Sequence, residues 1–171
     1  KTIDDVPDYY FYDGNLKAFL ELSDRDQLTL STYGGRDFLD VVFNADATDQ
    51  TGFSVDWGNK TGSARWTRVI TPKTFGHLWV TGSRFSSDFM LEIADVVERN
   101  FVSDITVKGE FESHRSQSFV TRFGFERKDL NVLFRQDFPE GLIEVNHRPE
   151  HYVFYSQLAW RPGARWELEG G

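Results

Sequence analysis

The feature that most constrains this chain is a period of two. In Asn15-Leu16-Lys17-Ala18-Phe19-Leu20-Glu21-Leu22, the residues Leu16, Ala18, Leu20 and Leu22 alternate with Asn15, Lys17, Phe19 and Glu21. Successive side chains of a strand point to opposite faces, so this pattern describes a strand with one apolar and one polar side. The pattern recurs. Leu28 and Leu30 alternate with Gln27, Thr29 and Ser31. Ile105, Val107, Gly109 and Phe111 alternate with Asp104, Thr106, Lys108 and Glu110. Phe119, Thr121, Phe123 and Phe125 alternate with Val120, Arg122, Gly124 and Glu126, and Trp166, Leu168 and Gly170 with Arg165, Glu167 and Glu169.

Short polar breaks punctuate these runs. Ser23-Asp24-Arg25-Asp26, Thr71-Pro72-Lys73, His114-Arg115-Ser116 and Arg161-Pro162-Gly163-Ala164 predict tight turns near 24, 72, 115 and 163, about 45 residues apart. Each interval holds two long strands and one longer polar connection. Those connections are expected near 36–54, 86–101 and 128–148, and residues 88–97 have room for a turn or two of helix. The expected fold is all-β: an antiparallel up-and-down meander of about eight long strands, in a single β-barrel region over residues 1–171. Short turns at one end and longer loops at the other are the arrangement of transmembrane β-barrels.

Composition supports that class. Phe, Tyr and Trp make up 16% of the chain although the mean hydropathy is −0.48. Many rings in a polar chain suit strands that alternate and carry rings at their ends. Trp66, Phe75, Trp160 and Trp166 lie beside the short turns, and Tyr9, Tyr10, Phe11, Tyr12, Trp57 and Phe101 near the other end, as two girdles would require. No run reaches the ~18 apolar residues of a membrane-spanning helix. The opening Lys1-Thr2-Ile3-Asp4-Asp5 is not a signal peptide. Net charge is −8, from 27 acids against 19 bases, which argues against a nucleic-acid partner. With no cysteine, disulfides and thiolate metal sites are excluded.

The charged sides of the strands need water or a partner, because unpaired charge in a dry core is costly. Lys17, Glu21, Arg65, Lys108, Glu110, Arg122 and Glu126 are therefore candidate lumen-facing contacts for a solute or a plug; plain solvation of a wet interior is the simpler account of each. Catalytic and metal chemistry finds less support. His147-Arg148-Pro149-Glu150-His151 spaces two histidines four apart, but Pro149 disfavours the helix that would bring them together. There is no phosphate loop, no G-x-S-x-G elbow and no cofactor motif. No particular serine is paired with a particular histidine. Asn59-Lys60-Thr61 matches a glycosylation acceptor, a tripeptide common by chance.

Several stretches resemble the barrel of TonB-dependent outer-membrane receptors. They include Tyr10-Phe11-Tyr12-Asp13-Gly14-Asn15-Leu16-Lys17-Ala18 and the segment from Leu22-Ser23-Asp24-Arg25-Asp26 to Tyr33-Gly34-Gly35-Arg36-Asp37. Trp57-Gly58-Asn59-Lys60-Thr61-Gly62-Ser63-Ala64-Arg65-Trp66 with its Thr71-Pro72-Lys73 turn belongs with them. So does Tyr155-Ser156-Gln157-Leu158-Ala159-Trp160-Arg161-Pro162 with Arg165-Trp166-Glu167-Leu168-Glu169-Gly170-Gly171. The resemblance implies the bacterial outer membrane, a non-enzymatic role in taking up a scarce nutrient such as a siderophore, cobalamin or glycan, and outer-membrane lipid around the barrel. It further implies a plug from the rest of the receptor chain, and an inner-membrane energy-coupling partner acting through an N-terminal box. No plug or box is recognisable in this sequence, and the end at Glu169-Gly170-Gly171 lacks the terminal aromatic strand of such barrels. The expectation is an internal barrel segment, an open partial barrel if the chain is a fragment. Two alternatives stay open: a self-contained eight-stranded outer-membrane barrel (adhesin, anchor or lipid-modifying enzyme), and a soluble ligand-binding β-barrel.

Overall fold

The computed structural model describes residues 7–43, 51–163 and 165–171. Nine strands form one antiparallel sheet: β1 (Asp8–Ser23), β2 (Asp26–Phe43), β3 (Thr51–Thr71), β4 (Thr74–Leu91), β5 (Val96–Ser116), β6 (Phe119–Phe138), β7 (Gly141–His147), β8 (Glu150–Gly163) and β9 (Trp166–Gly170). Each pairs with its sequence neighbour, except that β7 and β8 both pair with β6. Those two are one strand with a break. The β6 register runs from Phe138↔Gly141 to Val132↔His147 and resumes in step at Asp129↔Glu150. Pro149 causes the break, because it has no N–H to give the ladder. Its carbonyl still accepts from the Leu130 N–H at 3.0 Å. Counted that way, the meander has the expected eight strands.

Three of the short turns share one device. Primed hairpin turns need positive φ, yet among the described residues only Asp95 has it. Instead the register shifts at the strand end, between Glu21 and Ser23, Val69 and Thr71, and His114 and Ser116. In each case the Ser or Thr hydroxyl accepts the N–H two residues on: Ser23 from Arg25 at 3.2 Å, Thr71 from Lys73 at 3.3 Å, Ser116 from Ser118 at 3.2 Å. The turn carbonyl then receives the next hairpin, as Val69 N–H donates to Arg25 O and His114 N–H to Lys73 O. The turn expected around residues 114–116 therefore lies two residues later, at 117–118, because Ser116 caps it from the strand.

The long connections expected at 36–54, 86–101 and 128–148 are instead mostly strand. β2 continues to Phe43, β3 begins at Thr51, and β6 runs to Phe138 before a two-residue turn. Of the helix allowed for in residues 88–97, a single 3-10 turn forms, Glu92–Ala94, closed by Asp95 in the left-handed region at φ 49°. Residues 1–6, 44–50 and Ala164 lie outside the described residues. The polar composition misled because the ladder itself absorbs the charge: Arg36 pairs with Asp56 at 2.5 Å and Arg135 with its register partner Glu144 at 3.6 Å.

Register partners share a face, so the pairings assign every strand residue to one side. On one face, towards the short turns, lie Leu16, Leu20, Leu30, Ala64, Trp66, Leu78, Val80, Ile105, Phe111, Phe123, Phe125 and Leu158. On β1, β4 and β5 this apolar band spans about nine residues, the length a tilted strand needs to cross hydrocarbon; on β6 it is shorter, with Arg127 and Asp129 standing opposite Val107 and Ile105. Trp66, Trp160, Tyr10, Tyr12 and Phe101 share its face, whereas Phe75, Tyr9, Phe11 and Trp57, expected in the girdles, point to the other. Further from the short turns polarity inverts. There the band's face carries Arg36, Asp56, Asp88 and Arg99, and the opposite face carries Val41, Phe53, Val55, Phe89, Val132 and Phe134.

Among the described residues β1 and β9 do not pair with each other, so the sheet is open with two edges. Unpaired edges recruit other strands. Residues 1–171 produced alone are expected to self-associate in detergent, read by light scattering after size exclusion; a monodisperse monomer would contradict the open edges.

Candidate functional site

All seven charged residues singled out from the sequence fall on the face opposite the apolar band. Four of them take part in two neighbouring groups of contacts towards the short turns, because β3, β4, β5, β6 and β8 lie side by side. The Arg65 guanidinium lies 5.2 Å from the centre of the Trp79 ring. Lys108 Nζ lies between two rings, 5.4 Å from Trp79 and 5.2 Å from Tyr155. The Tyr155 hydroxyl donates to Glu110 Oε2 at 2.6 Å. Arg122 Nε donates to Glu112 Oε2 at 2.8 Å, and Glu112 also bonds His114.

Tyr155 reaches Glu110 by crossing an entire strand. Glu110 is the register partner of Gly124, and Gly124 is the partner of Tyr155. A β-carbon on Gly124 would sit 2.2 Å from the Tyr155 ring, so only glycine leaves the floor on which the ring lies. Glu126 stands opposite Lys108 in the register. Lys17 and Glu21 lie on β1, paired with Ser31 and Gln27, away from these contacts.

Polar contacts continue across the same face. Ser31 and Ser63 share a hydrogen bond at 2.7 Å, and Thr67 bonds His77 Nδ1 at 3.1 Å. Asp104 takes the Ser83 hydroxyl, the Thr106 hydroxyl at 3.1 Å and Lys128 at 3.9 Å. The result is a wall of donors, acceptors and rings, suited to water and to a polar solute. Further from the turns the wall becomes apolar. Phe53 lies between the tilted rings of Phe43 at 6.2 Å and Phe89 at 6.3 Å, beside Val41, which is only 5% exposed. On the band's face above it, two hydrogen bonds from Arg135, both 3.0 Å, hold the Asp137 carboxyl below the ordinary range.

Trp79, Tyr155, Asp104 and the Phe43–Phe53–Phe89 cluster are missed by sequence reasoning. Each gains its meaning from a residue on another strand, and only Gly124 opposite an aromatic could have hinted at one of them. His147 ends β7 and His151 lies in β8. Four residues of extended chain separate them by ~13 Å, too far to share an ion. Among the described residues no group of three metal-ligating side chains converges.

No family model and no curated protein matches this chain. Among solved structures, the sheet is similar to the crystal structure of the ferric yersiniabactin uptake receptor FyuA from Yersinia pestis. The TM-score is 0.51 at 9% sequence identity, over 94% of this chain and 27% of that one. At that identity the likeness concerns the fold: an antiparallel up-and-down sheet, open here, of the kind that forms part of a receptor barrel.

Gly124→Val in the full-length protein is expected to displace Tyr155 and cost about 1–3 kcal/mol, measured by urea unfolding in detergent micelles. Tyr155→Phe alone is expected to cost about 1 kcal/mol. In the Gly124→Val background it should cost almost nothing, since the bond to Glu110 is already gone. Additive losses would show that the ring does not need the glycine floor.

Proposed function

We propose that this chain is wall from the barrel of an outer-membrane TonB-dependent receptor that takes up a scarce small nutrient. The observation that carries the reading is the division of the two faces near the short turns. One is an apolar band about nine residues deep; the other is a continuous wall of Arg65, Lys108, Glu110, Glu112 and Arg122 with Trp79 and Tyr155. Hydrocarbon requires the first, and a hydrated interior accommodates the second. The fold likeness to a ferric yersiniabactin uptake receptor supports the same reading.

In this reading the band faces bilayer lipid, and the charged wall faces the lumen and the plug supplied by the rest of the chain. The apolar cluster of Phe43, Phe53 and Phe89 then lines the outer part of the lumen, where it offers rings to an entering ligand. The open edges β1 and β9 pair with further barrel strands. Transport itself belongs to the full-length protein, coupled to an inner-membrane energy source.

The test is fractionation of cells expressing the full-length gene, followed by uptake. The protein is expected in the outer-membrane fraction, resistant to alkaline extraction, and nutrient uptake is expected to stop when the inner-membrane coupling partner is deleted. Recovery in the soluble fraction overturns the reading.

A further inference from the structure

On the band's face, one row of the sheet departs from the ion pairing that surrounds it. Lys60 and Arg84 are direct register partners on β3 and β4. Like charges directly opposite each other on paired strands repel. The row supplies no acid: the partner of Lys60 on β2 is Gly34, and that of Arg84 on β5 is Ser103. Two acids share the shallow cleft of about 520 Å³ over this row, and both are taken. Asp56 is bound by Arg36 at 2.5 Å, and Asp88 lies 3.7 Å from Arg99. Among the described residues neither Lys60 nor Arg84 has a carboxylate within ion-pair distance.

Both side chains are poised rather than splayed. The Lys60 stem lies across its register partner Gly34, 3.9 Å from where a β-carbon there would be, an ordinary packing distance. The Arg84 guanidinium stacks 4.6 Å over the Phe101 ring. Stacking fixes the plane and leaves the edge N–H groups free for an oxyanion. The next row towards the short turns is Gly62 opposite Gly82, then Ala64 opposite Val80. A β-carbon on Gly62 would meet nothing within 4 Å. Two adjacent cations thus stand at the upper border of the apolar band, with a smooth low strip running down from them.

We propose that Lys60 and Arg84 clamp a phosphate of a membrane lipid, whose hydrocarbon lies along Gly62, Gly82, Ala64 and Val80. The row sits where the headgroups of the outer leaflet meet the band, and an anion there relieves the repulsion between the two cations. The inference rests on the reading of the band as bilayer-facing.

The test uses the full-length protein in detergent micelles and native mass spectrometry. The probes are lipid A bearing two phosphates, the same lipid with its phosphates removed, and inorganic phosphate. Wild type is expected to hold the phosphorylated lipid about tenfold or more tighter than the dephosphorylated one. Lys60→Gln with Arg84→Gln should erase that preference, and Lys60→Arg should keep it. Heat-modifiable gel mobility reports folding of each variant; if the double variant does not fold, Arg84→Gln alone should lower the preference several-fold. Equal binding of both lipids, an unchanged preference in the folded glutamine variants, or displacement of the lipid by inorganic phosphate at equal concentration overturns the clamp. Absence of the preference in a wild-type protein that still resists alkaline extraction removes only the clamp, whereas a soluble wild-type protein removes the membrane reading itself.

Discussion

Everything in this molecule depends on the antiparallel backbone ladder being kept in register over very long strands. β3 and β5 each run for 21 residues, and the β2–β3 pairing proceeds from Asp26↔Arg68 to Phe43↔Thr51 without a slip. With a side-chain period of two, one slipped residue would exchange the faces of a whole strand. The irregularities are accordingly confined to the hairpin ends, three of which a hydroxyl caps, and to Pro149, where the ladder resumes in step. Because register is kept, side chains on separate strands fall into rows. The rows, rather than any strand alone, carry the charged wall, the apolar band and the Lys60–Arg84 pair.

The two faces trade polarity partway along the strands. Near the short turns the band is apolar and the opposite wall charged; beyond the row of Lys60 and Arg84 the charges are on the band's face, and Phe53, Phe89 and Val132 are on the other. A sheet in water on both sides gains nothing from such an exchange. A barrel with a hydrocarbon girdle, a wet lumen and a projecting outer rim does, because each zone offers a different solvent to each face. The open edges accord with that picture, since closure would come from further strands.

Ring placement shows how far pattern reading reaches. Trp66, Trp160 and Tyr12 lie on the band's face as girdle residues should, but Phe75 turns to the other face, where it meets His114 edge-on at 5.8 Å. Both kinds sit near a strand end, and proximity to an end does not specify a face. The inverted outer halves of the strands have a loop-like composition for a related reason. Following one face through residues 36–54 or 128–148, the apolar alternation ends; following both, it has changed sides. Charged residues such as Arg135 and Asp137 read as loop composition until a neighbouring strand supplies Glu144.

By itself, the sequence determined that this chain makes long antiparallel strands, about eight of them, joined by tight turns near residues 24 and 72, with a charged side that includes Lys108, Glu110 and Arg122. Those properties are local: a period of two and a turn-forming tetrapeptide are complete within a few residues. Only the tertiary structure decided which strand stands beside which residue. Tyr155 reaches Glu110 across Gly124, Lys108 lies between Trp79 and Tyr155, and Lys60 faces Arg84 without an acid. Each of these is a contact between residues far apart in the chain, and its partner is fixed by register, which the hydrogen-bond ladder sets and no single strand contains.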